Sequence, residues 1–156
     1  MKIKLIENIP LDTRIVAGLI DDRDDLHLVW PPARWPFDHE QWQAVLDPQA
    51  GNKPFLVYND TRLIGHAALR KKDEPGVYAV SFLYLRPDLR SRGLGEQMIG
   101  MLERYAVTEL QATNLILVAR TYNPRAIKCY TKCGFYEYGR EGTLIKMSKP
   151  VDSKGI

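Results

Sequence analysis

The chain has 156 residues, two cysteines and a formal net charge of +3. This length suits a single domain, 1–156, which can bury roughly two-thirds of the surface of its unfolded chain without disulfide or metal staples. The small excess of charge and the lack of a basic, aromatic-rich strand motif argue against a nucleic-acid binder. No apolar run reaches signal-peptide or membrane-spanning length, so we expect a cytoplasmic protein that binds no membrane.

Charge is distributed unevenly along the chain. From Glu7 to Asp47, nine acidic residues stand against three arginines, a formal balance of −6. From Arg86 to Arg140, nine basic residues stand against five acidic ones, a balance of +4. Both stretches can be solvated surface. Alternatively, the basic part binds an anionic ligand and the acidic part faces a cationic one.

The N-terminal half alternates between strand and helix patterns. Lysine alternates with apolar residues at the start of the chain, which is typical of a half-buried strand. The prolines of the segment Trp30–Pro36 exclude regular helix there. In chain order, the predicted elements are a strand at 2–7, a helix from Asp12 or Thr13 to about Arg23, a short helix at 38–46, two strands at 55–58 and 63–69 joined by a hairpin turn, and a long strand at 77–85.

The C-terminal half begins with a long helix, because apolar residues keep helical spacing from Leu94 to Leu110. The unbroken apolar run Leu115–Ala119 predicts a strand covered on both faces. A last helix has Asn123 as its cap, Pro124 at its first position and Gly134 just past its end, and two short strands, 135–139 and 143–147, follow. This order predicts an α/β (mixed α+β) fold, with a central, mostly antiparallel sheet, one parallel strand pair and about four flanking helices.

The two cysteines, Cys129 and Cys133, lie four residues apart beside the last helical pattern. No second pair stands upstream at zinc-finger spacing. We therefore expect reduced packing residues and no metal site.

The segment Arg90–Gly95 lies where the long strand has ended and the long helix begins. Glycines let a backbone approach a ligand closely, and the first N–H groups of a helix point outward without partners. Such a turn binds anions, and Arg90 and Arg92 add positive charge. A tight turn that needs only small residues explains the glycines equally well. A Rossmann fingerprint would need a third glycine at Met98, and the ending of a P-loop is missing.

Two signatures connect this turn to a known family. Arg90, Gly93 and Gly95 match a pattern of Gln or Arg, two residues, Gly, one residue, then Gly or Ala, and the apolar strand and proline before it are Phe82–Pro87. Downstream, Asn123–Phe135 has an asparagine that opens a helix carrying a tyrosine and ending in Gly-Phe. With both signatures in order, the sequence resembles the GNAT superfamily of acyl-CoA-dependent N-acetyltransferases over about residues 77–147. The earlier part matches in element order only.

The resemblance implies acetyl-CoA as co-substrate and no metal. The amides of Arg92–Glu96 would wrap the pyrophosphate, and the backbone of Leu83–Leu85 would pair with the pantetheine amides. Asn123 would contact the pantetheine arm, although it equally serves as a helix cap. Tyr130, the implied catalytic residue, would protonate the departing CoA sulfur, and its alternative is a core tyrosine. The cofactor-binding set is Leu83, Tyr84, Leu85, Arg90, Ser91, Arg92, Gly93, Leu94, Gly95, Glu96 and Asn123.

The general base has no clear candidate. Many relatives carry a glutamate on the fourth strand, where this chain has Ala79. Ser81, next on the same strand face, is no stronger a base. His66 on the preceding strand could substitute, but a lone histidine in an apolar strand is more often structural. Proton removal through ordered water stays open.

The acceptor pocket is expected in the N-terminal half. Trp30, Trp35, Phe37 and Trp42 occur there amid aspartates, and aromatic faces with carboxylates suit an ammonium group. They equally suit a packed lid or a homodimer contact. We include Trp30, Trp35 and His66 as substrate-binding candidates.

These observations predict an enzyme that passes the acetyl group of acetyl-CoA to a primary amine of a small molecule or peptide by direct attack. Without a glutamate base, an amine of low pKa is the favoured acceptor. The alternative is a non-catalytic module that senses acyl-CoA or docks a partner through its tryptophan-rich segment.

Overall fold

A computed structural model describes residues 2–152. Within them the chain forms seven strands and five α-helices: β1 (Ile3–Glu7), α1 (Thr13–Leu19), α2 (Arg23–Val29), α3 (His39–Val45), β2 (Lys53–Asn59), β3 (Arg62–Lys71), β4 (Val77–Leu85), α4 (Leu94–Leu110), β5 (Asn114–Arg120), α5 (Pro124–Lys132), β6 (Tyr136–Glu141) and β7 (Leu144–Pro150). Short 3-10 helices span Pro48–Ala50 and Pro87–Leu89.

The strands make one sheet in the order β1-β2-β3-β4-β5-β7-β6. Within the described residues, β4 and β5 form the parallel pair, from Val77↔Asn114 to Ala79↔Ile116. This confirms the predicted mixed, mostly antiparallel sheet with one parallel pair. None of the helices in the described part of the chain is both long and apolar enough to cross a membrane.

The chain divides into two compact units. The first holds the chain up to Arg70 together with Ser81–Arg90, and the second holds Lys71–Val80 together with the chain from Ser91 onward.

In the first unit, the hairpin turn is confirmed, since β2 and β3 pair antiparallel down to Asn59↔Arg62. The single helix predicted to run to about Arg23 is instead two helices, α1 and α2. The second one starts because the Asp22 carboxylate accepts a hydrogen bond from the Asp25 amide at 3.0 Å, which caps a new helix. The sequence pattern missed this helix, so five helices stand where about four were expected.

The core of the first unit lies under α1, α2 and α3. It is a cluster of buried residues: Val16, Leu19, Ile20, Leu26, Ala33, Trp42, Leu46, Ala68, Phe82 and Tyr84. Most of these residues come from the three helices or the residues that end them and from β3 and β4, and Ala33 lies in the loop between α2 and α3. The helices are held in place mainly by burial of apolar surface.

In the second unit, α4 buries one face along its length, with Leu94, Met98, Ile99, Leu102, Ala106 and Val107 inside. The predicted ends of α5 are confirmed, because the Asn123 side chain accepts from the Ala126 amide at 3.3 Å and Pro124 occupies the first turn. The expectation that β5 is covered on both faces is wrong. Leu115, Leu117 and Ala119 are buried, but Val118 between them is 55% exposed. The apolar run of β5 is therefore buried on one face of the strand only.

Candidate functional site

The strand β4 contains a local break in its regular geometry at Phe82. Phe82 has φ +53°, in the left-handed region of backbone conformation that residues other than glycine rarely adopt. The parallel pairing of β4 with β5 runs from Val77 to Ala79, before this point. The segment Leu83–Leu85, expected to pair with pantetheine, begins directly after Phe82.

Leu83 and Leu85 direct their backbone polar groups away from β3. The Arg86 amide donates to the Ile64 carbonyl at 2.9 Å, which turns Arg86 toward β3. Because the direction of backbone groups alternates along a strand, Leu85 and Leu83 face the opposite edge. There the Leu85 carbonyl accepts a hydrogen bond from Arg90 Nε at 2.9 Å.

Arg90 is engaged within the first unit. Besides Leu85, its guanidinium pairs with Asp25 Oδ2 at 3.3 Å and lies 5.4 Å from the centre of the Tyr84 ring. Burial, and then the charge of Asp25, raise the pKa of Tyr84. Asp25 therefore neutralises much of the positive charge of Arg90, which we had predicted to help bind an anion. Arg92, the other arginine of this prediction, has an exposed side chain.

The turn that opens α4, in the second unit, has two residues of positive φ, Ser91 at +63° and Gly93 at +79°. Gly93 is the N-cap and has no side chain, so it makes no capping hydrogen bond. The Gly93 carbonyl accepts from Gln97 at 3.3 Å, so the helical ladder starts there. The amides of the first turn, Leu94, Gly95 and Glu96, therefore lack partners within the helix and can bind an anion.

Gly95 is small for a packing reason. A Cβ placed on it would lie 3.3 Å from Cys129 Sγ, so α5 lies directly against this turn of α4. Cys129 and Cys133 are free thiols whose side chains are hydrogen-bonded to each other. That bond raises the pKa of Cys129 and lowers that of Cys133. The sequence did not connect Gly95 with Cys129, which lies thirty-four positions away.

The other two candidates of the second unit lie on α5. Asn123 caps the helix, as described, and its expected contact with pantetheine stays a prediction. Tyr130 is partly buried, and burial raises the pKa of its phenol, which keeps it protonated at neutral pH. Within the described residues, its hydroxyl makes no hydrogen bond.

His66 is completely buried on β3, without solvent-exposed surface. Its Nδ1 lies 2.9 Å from the Phe82 carbonyl, and since a carbonyl only accepts, Nδ1 carries the proton. Nε2 has no hydrogen-bond partner within residues 2–152. Burial lowers the pKa of His66 to about 4. A side chain so enclosed fixes the backbone at Phe82 and is poorly placed to touch an acceptor.

The tryptophans divide between core and surface. Trp42 is fully buried, and Trp30 packs edge-on against it at 5.1 Å and against Phe82 at 5.5 Å. Phe37 stacks on Trp42 at 5.4 Å. Trp35 is 43% exposed. Trp30 therefore belongs mainly to the packed cluster, and Trp35 is the tryptophan with the most surface available to an acceptor.

Several aspartates of the acidic segment already have structural roles. Asp22 caps α2, and Asp25 pairs with Arg90. Asp38 caps α3 and pairs with Arg34 at 2.6 Å. These carboxylates are used within the first unit, which leaves less free negative charge than the composition indicates.

No group of three or more His, Cys, Asp or Glu side chains in the described part of the chain could hold a metal ion.

One residue that the sequence reasoning missed is Arg70, at the end of β3. Its Nε donates to Ser81 Oγ at 3.1 Å, and its guanidinium lies 5.0 Å from the centre of the Phe82 ring. Ser81 and Phe82 lie eleven and twelve positions after Arg70, on the next strand. Only the pairing of β3 with β4 could have revealed these two contacts.

In the described part of the chain, the longest helix therefore starts at a glycine turn whose first amides have no partners within the helix. The model of the Acetyltransferase (GNAT) family matches residues 21–135, about three-quarters of the chain, and the protein belongs to this family. No curated protein sequence matches at a significant level.

Solved structures of similar fold are acetyltransferases. The Vibrio cholerae spermidine N-acetyltransferase, in complex with CoA and spermine, is 20% identical with a TM-score of 0.77, over 95% of both chains. The Campylobacter jejuni N-acetyltransferase PseH, in complex with acetyl coenzyme A, is 20% identical with a TM-score of 0.71, over 96% of this chain and 99% of that one. The aminoglycoside acetyltransferase AAC(6')-Ib, in complex with coenzyme A, is 20% identical with a TM-score of 0.77, over 96% of this chain and 95% of that one.

Proposed function

We propose that this protein transfers the acetyl group of acetyl-CoA to a primary amine of a small molecule or peptide by direct attack. The observation that carries the proposal is the start of α4, where Gly93 at φ +79° opens a 17-residue helix and, as its N-cap, offers no side chain to the first amides. The dipole of a helix favours an anion at such an end by about 0.3–1 kcal/mol per charge. The family membership supports the CoA pyrophosphate as this anion.

The proposed contacts with acetyl-CoA are given for each unit by itself. In the second unit, the amides from Arg92 to Glu96 hold the pyrophosphate, and Asn123 contacts the pantetheine arm while capping α5. In the first unit, Leu83 and Leu85 pair with the pantetheine amides as an added strand would, because their backbone groups face away from β3.

Tyr130 is the proposed acid. Attack of the amine on the thioester carbon forms the amide bond, breaks the carbon–sulfur bond and leaves a thiolate, which the Tyr130 hydroxyl protonates; the proton that the amine loses passes to water, and water returns a proton to the phenolate. Burial raises the pKa of this phenol, so Tyr130 carries its proton when the sulfur departs.

The proposed acceptor is an amine of low pKa, because no glutamate stands at Ala79 to remove a proton. A lysine-like amine of pKa about 10.4 costs about 5 kcal/mol to deprotonate at pH 7. An α-amine of pKa about 7.7–8.0 costs only about 1 kcal/mol. The enclosed His66 does not reduce this difference, so the α-amine is favoured.

The test combines binding with turnover. Acetyl-CoA binding is measured by calorimetry, and release of free thiol is followed with matched α-amine and ε-amine substrates at several pH values. Binding with thiol release that depends on an α-amine supports the proposal. A preference for the ε-amine at pH 7 would show that another base exists. Binding without release by any amine would favour an acyl-CoA sensor instead.

A further inference from the structure

Among the described residues, Arg70 is a half-buried positive charge that pairs with no carboxylate. Its Nε is used by Ser81 Oγ, and the Phe82 ring supports the guanidinium from one side. Within residues 2–152, its two terminal nitrogens make no hydrogen bond, and no carboxylate pairs with it. Burial lowers the pKa of Arg70, and no neighbouring charge opposes the effect.

Arg90, another half-buried arginine of the first unit, does have a carboxylate partner. There Asp25 pairs with the guanidinium at 3.3 Å. Arg62, on the same strand as Arg70, is exposed and still pairs with Asp88 at 3.2 Å. A guanidinium that loses water without gaining a carboxylate raises the energy of the folded chain, and an incoming anion relieves that cost.

The orientation of Arg70 suits a carboxylate. With Nε bonded to Ser81 and one face over Phe82, the guanidinium is held in one plane, and its terminal nitrogens form a fork that matches two carboxylate oxygens. Ser81 and Phe82 immediately precede Leu83, the proposed neighbour of the pantetheine arm. At about 3.3 Å per strand residue, Ser81 is about 7 Å from Leu83, a span that a small acceptor can bridge.

We propose that Arg70 binds a carboxylate of the acceptor, so that the substrate is a small amino acid carrying an amine and a carboxylate. The inference rests on the proposed function and narrows its substrate class. The carboxylate of an amino acid stabilises the charge of its own ammonium group and so raises the pKa of the amine. When Arg70 pairs with that carboxylate, this effect is reduced, and the amine is easier to deprotonate.

The experiment compares amino acids with their amides as acceptors. Glycine, β-alanine and phenylalanine, each with its amide, are assayed by thiol release from acetyl-CoA with the wild type, R70Q, R70K and R62Q. The wild type should prefer each acid over its amide by about 10- to 100-fold in kcat/KM, the range expected for hydrogen bonds to a charged group. R70Q should lose this preference, and R70K should retain part of it. R62Q, with the same change of charge on the same strand, should keep it.

Direct binding separates the site from turnover. Calorimetry with N-acetylphenylalanine, which has the carboxylate but no free amine, should show binding to the wild type and R62Q and at least tenfold weaker binding to R70Q. Circular dichroism and thermal unfolding verify the fold of each variant, and R70K serves if R70Q is unfolded. Equal binding in all variants, or an unchanged preference in R70Q, would overturn the inference. If amides are acetylated as well as acids, the substrate class is wrong while acetyl transfer stands. If no amine releases thiol, the proposed function itself fails.

Discussion

The buried imidazole of His66 makes a quantitative prediction about acid stability. Its pKa is about 4 in the folded chain, against an ordinary value of 6.5, because burial disfavours the charged ring more than the hydrogen bond to the Phe82 carbonyl favours it. The unfolded chain therefore binds a proton below pH 6.5 that the folded chain refuses until about pH 4. Stability from this group is complete above pH 6.5, declines as the pH falls, and is lost below about pH 4.

The size of the effect follows from the shift. A difference of 2.5 pKa units at 1.36 kcal/mol each corresponds to about 3 kcal/mol in the free energy of unfolding. Most of it, about 2 kcal/mol, should already be lost at pH 5. This is a large part of the 5–15 kcal/mol that is typical of a whole domain.

The assay is urea unfolding of the wild type and His66→Asn from pH 7 to pH 4. Asparagine keeps an N–H donor for the Phe82 carbonyl and does not titrate, so its effect on packing should be independent of pH. The advantage of the wild type over the variant should shrink by about 3 kcal/mol across this range. His39→Gln, at an exposed position, is the control for the loss of a histidine outside the core. A wild-type advantage that stays constant from pH 7 to pH 4 would show that water reaches the ring and would refute the reasoning.

Two further predictions concern the second unit. A methyl group on Gly95 would lie 3.3 Å from Cys129 Sγ and displace α5 or the thiol by a few tenths of an ångström, so Gly95→Ala should weaken acetyl-CoA binding, and adding Cys129→Ala should recover most of the binding. If the double variant still fails to bind in calorimetry while being stable, the glycine is needed by the pyrophosphate itself. Tyr130→Phe should lower kcat with little change in KM for acetyl-CoA, because the phenol acts on the departing thiolate. Equal turnover would return Tyr130 to a packing role.

The parts of the fold that could be predicted are those determined by neighbours in sequence. The ends of α5 follow from Asn123, Pro124 and Gly134, each of which acts within one turn of the helix. The hairpin between β2 and β3 likewise depends on a few consecutive residues. The start of α2 was missed because Asp22 stands among four aspartates, and nothing local shows which of them caps a helix. The turn before α4 was found because glycine leaves a local signal.

The candidate site depends on contacts that no local pattern contains. Arg90 and Arg70 are both half-buried arginines. Asp25, sixty-five positions from Arg90 in the sequence, pairs with Arg90 and not with Arg70. That pairing makes Arg90 a brace between α2 and the end of β4, and its absence makes Arg70 a candidate ligand for an external anion. Whether an arginine is structural or binds substrate is therefore determined by the carboxylate that folding brings to it. The same reasoning separates Trp42, which folding encloses, from Trp35, which it leaves exposed, although both belong to one aromatic cluster in the sequence.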